Sequence, residues 1–279
     1  MTQQLPLLSW HDPQLGSQFV ASLRQFGFAA LIDHPLDMTL VKVIYQEWRD
    51  FFASGEATRY PMDPVRQDGY FSVAQAEHAK GYEQRDFKEY FQYYSWGRCP
   101  EPLRKNLADY FAQAVDFAST LLGFVETYTP ADIRARFSQP LHEMIKDSQQ
   151  SMLRVLHYPP VPQGQSVLRA APHEDINLLT LLPAADGPGL QIRTQDGGWL
   201  SVPNEPNQVL INIGDMLQEA SGGWLPSTTH QVAPPSCESL VRGRMSLPLF
   251  LHPRPDVVLS ERHTARTYLQ ERLFELGVA

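Results

Sequence analysis

The chain has 279 residues, 43% hydrophobic and 11% aromatic, enough for a sizeable core. Its formal charge of −8 argues against a general nucleic-acid surface, which needs a basic footprint. The two cysteines, Cys99 and Cys237, lie far apart and make neither a disulfide framework nor a Cys-x-x-Cys zinc motif.

The start, Met1-Thr2-Gln3-Gln4, has no basic region, and Leu5-Pro6-Leu7-Leu8 is too short for the apolar run of a signal peptide. No stretch approaches the length of a membrane span. A soluble cytoplasmic protein with no membrane partner is expected. Residues 5–9 read as a short strand and His11-Asp12-Pro13 as a turn. Phe19, Val20, Leu23 and Phe26 then recur at helical spacing, and Gly27 stops that helix. Residues 28–32 form a short apolar strand, broken at His34-Pro35. A second amphipathic helix is predicted over 38–52, with Leu40, Val43, Ile44 and Trp48 inward. Residues 54–98 mix aromatics and cations. That composition suits either a pocket for an anionic or aromatic ligand or an irregular layer on the core edge. Arg66, Tyr70 and Lys88 are the candidate contacts, although Lys88-Glu89 reads equally well as an ion pair on a structural strand. The longest helical pattern covers 102–127, followed by two short helices at 132–137 and 141–148. The chain thus divides into a mostly helical region, 1–150, packed on a mostly stranded region, 151–279, within one structural unit.

In the second region, residues 153–158 begin the strands, and 176–182 is an apolar, buried strand. Asp186-Gly187-Pro188-Gly189 is a turn without the context of a phosphate loop. Residues 190–193 and 199–202 flank Asp196-Gly197-Gly198, a hairpin signal, and Leu190 is a candidate wall of a site. After a strand at 209–213, Gly214-Asp215 opens a short helix with Asp215 as its expected N-cap. Strands follow at 226–232, 243–251 and 257–260. A C-terminal amphipathic helix over 264–276 turns Leu269, Leu273 and Leu276 inward, placed either to close over the core or to meet another subunit.

His173 and Asp175 stand two apart on one predicted strand, so both face the same way while Glu174 turns aside. His230 comes from a distant strand. Two imidazoles and one carboxylate on one face of a metal leave the opposite positions open, which suits non-haem Fe(II) that must also hold O2 and a cosubstrate. A His-x-Asp triplet alone is weak in a chain with nine histidines. The segments that follow strengthen it. Arg244 and Ser246, again two apart, offer a guanidinium fork and a hydroxyl on one face, a clamp for a carboxylate.

Four stretches, in this order, resemble the isopenicillin N synthase-like branch of the Fe(II)/2-oxoglutarate-dependent dioxygenases. They are Leu153-Arg154-Val155-Leu156-His157-Tyr158-Pro159-Pro160, Pro172-His173-Glu174-Asp175, Val209-Leu210-Ile211-Asn212-Ile213-Gly214-Asp215-Met216-Leu217 and Arg244-Met245-Ser246-Leu247-Pro248-Leu249-Phe250. Gly27-Phe28 and Lys88-Glu89-Tyr90-Phe91 extend the resemblance over nearly the whole chain. Ala233-Pro234-Pro235-Ser236-Cys237-Glu238 reads as a slightly long connection, a local insertion.

The resemblance implies an α+β, mainly β class: a double-stranded β-helix (jelly-roll) core with a helical N-terminal region and outer helices. It implies Fe(II) on His173, Asp175 and His230, and 2-oxoglutarate as cosubstrate with its distal carboxylate on Arg244 and Ser246. Tyr158 is then expected beside that carboxylate, and Asn212 near the metal, touching its water or the cosubstrate. His157 faces the other way by alternation, in a packing or surface role. The implied reaction is oxidation of a small-molecule C–H bond by O2, through hydroxylation, desaturation or cyclisation, with release of succinate and CO2. Three other readings stay open. One is an oxidase of the same fold whose Arg244 and Ser246 hold the substrate's own carboxylate. Another is a zinc hydrolase, disfavoured by the lack of a His-Glu-x-x-His helix or an evident general base. The last is a non-catalytic ligand-binding or sensor protein on this scaffold. Neither the prime substrate nor the oligomeric state is legible in the sequence.

Overall fold

A computed structural model describes residues 4–75, 86–161, 167–233 and 243–275. The N-terminal half opens with strand β1 (Leu7–Ser9), helix α1 (Leu15–Phe26) and strand β2 (Phe28–Ile32). Helix α1 buries Phe19, Val20 and Leu23 and ends at Gly27, whose φ of 70° forms a left-handed cap with its N–H on Leu23 O. Helix α2 (Met38–Ala53) starts at Asp37, whose carboxylate accepts from Thr39 N and Leu40 N. Strands β3 (Gly69–Phe71) and β4 (Glu89–Tyr93) precede α3 (Glu101–Tyr128), which carries Pro102 in its first turn, where no N–H is required. Two short helices follow, α4 (Ala131–Arg134) and α5 (Leu141–Ile145).

Strands dominate the second half: β5 (Met152–Tyr158), β6 (Ala170–His173), β7 (Leu179–Pro183), β8 (Leu190–Arg193), β9 (Trp199–Ser201) and β10 (Val209–Ile213). After helix α6 (Asp215–Ala220) come β11 (His230–Val232), β12 (Arg244–Ser246), β13 (Leu249–Leu251) and a closing helix, α7 (Ala265–Glu275).

Among the described residues these strands make two sheets. The large one runs β1-β2-β10-β7-β13-β5-β4-β3 with β12 also on β5, and the small one runs β6-β11-β8-β9. Strands of the N-terminal half therefore complete a sheet built mainly by the C-terminal half. One face of the large sheet presents Phe91, Leu153, Val155, Leu181, Ile211 and Met245 to the helices, where they pack with residues such as Phe19, Trp48 and Leu121. The other face turns toward the small sheet. Two smaller apolar clusters lie there: Phe28, Leu190, Ile192 and Leu210 in one, and Tyr90, Leu156, Tyr158, Ala170 and Val232 in the other. This is the jelly-roll core with outer helices that the resemblance implies. No described helix is long and apolar enough to cross a membrane.

Several expected boundaries move. The predicted strand at 243–251 is two strands, β12 and β13. Pro248 has no N–H for a ladder, and its carbonyl accepts from Arg154 N at 3.0 Å. The strand predicted at 176–182 begins only at Leu179. Residues 257–260 form no strand; Val258 makes a single bridge to Thr264. Asp215 is the first residue of α6 rather than its cap, a place taken by Gly214, and its carboxylate meets Arg272 of α7 at 3.3 Å. In α7, Ala265 is buried and Leu269 and Leu273 are half-buried. Leu276 and residues 234–238 of the expected insertion lie outside the described residues.

Gly27 touches the segment that leads into His230. A Cβ at Gly27 would stand 2.0 Å from Thr228 Oγ1 and 2.9 Å from Pro226 O. Gly27→Ala is expected to destabilise the protein by at least about 2 kcal/mol, through both the left-handed backbone and the clash. A urea melt should show a lower midpoint at unchanged slope; an unmoved midpoint would mean that residues 226–228 yield freely.

Candidate metal centre

His173 ends β6, His230 begins β11, and the two are cross-strand partners. The next pair is Val232 with Ala170, so β6 carries one residue more than β11 between them. Such an irregularity re-aims side chains, and it lets both Ala170 and His173 face β11's inward residues. The two imidazole centroids lie 4.4 Å apart, and Phe28 stands edge-on to His230 at 5.4 Å. His173 Nδ1 is 2.7 Å from Ala171 O, and His230 Nδ1 is 3.1 Å from Thr228 O. A carbonyl only accepts, so each Nδ1 carries the proton and each Nε2 keeps its lone pair for a metal.

Asp175 reaches the same place by another route than the expected one. It does not share a strand with His173; β6 stops at His173 and Asp175 stands in the irregular segment beyond. That segment is held by Asp215 N–H donating to Asp175 O at 2.7 Å. Thr180 Oγ1 and Asn212 Nδ2 donate to Asp175 Oδ2 at 2.5 and 2.8 Å, while Oδ1 lies 3.8 Å from His230 Nε2. One ligand atom from each of the three residues lies within 4.8 Å of the others. The donor set and its spacing fit a single divalent ion.

Electrostatics prepare the ligands. Burial pushes the His173 pKa down to about 4, and the neighbouring His230 acts in the same direction. For Asp175, burial pushes the pKa up. His230 and His173, with the hydrogen bonds from Asn212 and Thr180, outweigh it and hold the carboxyl below its usual range. At neutral pH His173 is therefore neutral and Asp175 ionised, the states that a metal needs.

Arg244 and Ser246 pair in register with Tyr158 and Leu156 of β5, so these four side chains share the inner face of the large sheet. The Arg244 guanidinium carbon is 5.2 Å from the centre of the Tyr158 ring, and that of Arg169 is 5.9 Å from it. Arg244 Nε donates to Gly187 O at 3.0 Å. Beside it, Asp186 accepts from Met245 N at 2.6 Å and forms an ion pair with Arg49 of α2. Helix α2 thus holds the turn that fixes the Arg244 side chain. Leu190 and Arg244 line one small cavity together.

The other expected residues divide. Asn212 enters the site through Asp175. His157 faces away, as alternation implies, with Nδ1 2.7 Å from Glu89 Oε1 and its ring stacked on Phe52. Tyr70 donates to Glu89 on that same outer face, and Arg66 lies over Trp96 near the surface. Lys88 is buried, pairs with Asp86 at 2.8 Å rather than with Glu89, and its charge is felt at His173. Arg169, Thr180 and Asn177 escaped the sequence reading. Asn177 and Thr180 had a signal, since they are the polar residues of an otherwise apolar run at 176–182 and buried polar groups need partners. Arg169 had none.

Two family models match the chain. The 2OG-Fe(II) oxygenase superfamily matches residues 149–253, and the N-terminal region of non-haem dioxygenases in morphine synthesis matches residues 4–112. A Shewanella oneidensis crystal structure assigned as an oxygenase is 47% identical, with a TM-score of 0.91 over 99% of this chain and 100% of that one. A Caulobacter crescentus structure assigned to the 2OG-Fe(II) oxygenase family is 27% identical, with a TM-score of 0.80 over 98% and 100%. Gibberellin 2-beta-dioxygenase 1 of Arabidopsis thaliana is 26% identical over 97% of this chain and 84% of its own.

Burial also holds His34 and His252 below their usual pKa, His252 at about 4. With His173, these rings bind fewer protons folded than unfolded between about pH 4 and 6.5. The stability they confer is complete above about pH 6.5 and is lost as pH falls toward 4. Denaturant melts of metal-free protein at about pH 7.5 and about pH 5 should differ by on the order of 2 kcal/mol or more. His252→Asn should narrow that gap. Equal stability at both pH values would show that the rings are not held neutral by burial.

Proposed function

The chain belongs to the 2OG-Fe(II) oxygenase superfamily, and from that membership we propose that it oxidises a C–H bond of a small organic molecule with O2, converting 2-oxoglutarate to succinate and CO2. Fe(II) is its metal and 2-oxoglutarate its cosubstrate. The observation that carries the reading is the convergence of His173, Asp175 and His230 on one ion-sized volume, with the Arg244 and Ser246 clamp on the facing sheet. Similarity to a gibberellin 2-beta-dioxygenase supports a small-molecule substrate. Hydroxylation is the proposed outcome, ahead of desaturation or ring closure. Action in the cytoplasm, without a nucleic-acid or membrane partner, belongs to the proposal; the formal charge of −8 supports the lack of a nucleic-acid partner.

Fe(II), when bound, supplies the redox chemistry. The residues do the rest by position. His173 and His230 present Nε2, and Asp175 presents Oδ1. The Arg244 fork and the Ser246 hydroxyl hold the distal carboxylate of 2-oxoglutarate by charge-assisted hydrogen bonds. Tyr158 flanks the guanidinium and orients it. Phe28, Leu190 and Val232 wall the interior with apolar surface that excludes water.

Anaerobic titration of the Fe(II)-loaded protein with 2-oxoglutarate should raise a weak, saturable visible band. Arg244→Ala should weaken 2-oxoglutarate binding roughly 30- to 300-fold, as expected for losing a buried charge-assisted contact, with iron affinity nearly unchanged. Unaltered 2-oxoglutarate affinity would move the clamp to the substrate's own carboxylate and favour an oxidase that forms no succinate.

A further inference from the structure

A carboxylate can bind an ion through one oxygen or both, and the choice decides how many coordination positions remain. The two Asp175 oxygens have different surroundings. Oδ1 faces His230 Nε2 at 3.8 Å. Oδ2 accepts from Thr180 Oγ1 at 2.5 Å and from Asn212 Nδ2 at 2.8 Å. A carboxylate oxygen has two lone pairs, and both on Oδ2 are engaged by these donors.

The direction of the Thr180 bond is itself set. Asn177 Nδ2 donates to Thr180 Oγ1 at 3.0 Å and to Leu179 O at 2.9 Å. The single Thr180 proton has two acceptors in reach, Asn177 Oδ1 at 3.4 Å and the Asp175 carboxylate at 2.5 Å, and the shorter, charge-assisted bond to Asp175 takes it. Asn177 is fully buried, and Gly214 makes room for it: a Cβ at Gly214 would lie 2.1 Å from Asn177 O and 2.3 Å from Asn177 Oδ1. Thr180 and Asn212 are cross-strand partners on β7 and β10, so both donors come from adjacent positions on one rigid sheet. Both are 2% exposed, which shields their bonds from competing water.

We propose that Thr180 and Asn212 are positioning residues that restrict Asp175 to one-oxygen binding, so that the metal keeps the positions needed by the two chelating oxygens of 2-oxoglutarate and one further small ligand. The inference rests on the metal reading above. It assigns Asn212 to the control of Asp175, not to direct contact with the cosubstrate. It also predicts that the pair acts on cosubstrate binding, not on metal capture.

The test uses the Co(II)-substituted protein, whose visible absorption reports coordination number, with calorimetric titration of Co(II) and of 2-oxoglutarate. Thr180→Val with Asn212→Leu keeps the volumes and removes both donors. Co(II) should bind the double variant at least as tightly as the wild type, with a spectrum shifted toward higher coordination before cosubstrate is added. Its 2-oxoglutarate affinity should fall at least tenfold. Thr180→Ser, which retains the hydroxyl, should match the wild type in both titrations and separates loss of the donor from loss of fold. An unchanged spectrum and unchanged 2-oxoglutarate affinity in a folded double variant would overturn the proposal. Loss of Co(II) binding in that variant would overturn it too, because the donors would then serve capture. Failure of the wild type to bind Co(II) or 2-oxoglutarate would instead sink the functional reading on which the proposal rests.

Discussion

A carboxylate sits in an apolar interior between two imidazoles, and the site depends on making that tolerable. Asp175 is 7% exposed, and an isolated charge there would be neutralised or would open the fold. It is held by Thr180 from β7, by Asn212 from β10 and, through its main chain, by the first residue of α6. Each partner lies on a different element. The large sheet must therefore be in register, and α6 docked, before the small sheet's two histidines have a third ligand. The same hydrogen bonds that stabilise the ionised form keep the metal-binding charge available at neutral pH.

The two faces of the large sheet divide the labour. The outer face is a packed apolar layer under α1, α2 and α3, and it gives the sheet rigidity. The inner face carries the polar chemistry. One connection crosses between them: Arg49 on α2 pairs with Asp186, Asp186 holds Met245 N, and Gly187 O receives Arg244 Nε. Through this turn an N-terminal helix fixes the angle of a guanidinium on a C-terminal strand. Helix α7 makes a comparable link, since Arg272 meets the carboxylate of Asp215, whose own N–H holds Asp175.

Periodicity made the long helices readable, because α1, α2 and α3 each bury a stripe against a single layer. The ligands were readable for another reason: imidazoles and carboxylates are scarce, and their order along the chain carried information that their spacing did not. Spacing alone misplaces Asp175, because β6 ends at His173. The residues beyond leave the ladder, and their path is set by Asp215, forty residues later in sequence. The split of β12 from β13 depends on where β5 ends its pairing, which Pro248 hints at but does not locate. Asn177 and Thr180 stood in plain view as polar residues in an apolar run, yet their role is visible only once Gly214 is seen to leave space for the amide. Arg169 is silent in sequence because nothing local distinguishes a buried arginine from a surface one.

Strand order in the large sheet bears on how the protein is made. β2 lies between β1 and β10, and β4 pairs with β5, so the first strands to leave a ribosome wait beside vacant neighbours until much of the chain has followed. Pairings this distant raise the contact order, which slows folding. Until β10 arrives, one edge of β2 has no hydrogen-bonding partner, and until β8 arrives its inner face lacks the cover of Leu190 and Ile192, a natural point for chaperone engagement or aggregation. His230 comes later still, and without it the nascent chain lacks a complete ligand set. A complete ligand set therefore exists only after the strand that carries His230 has been made and paired with β6.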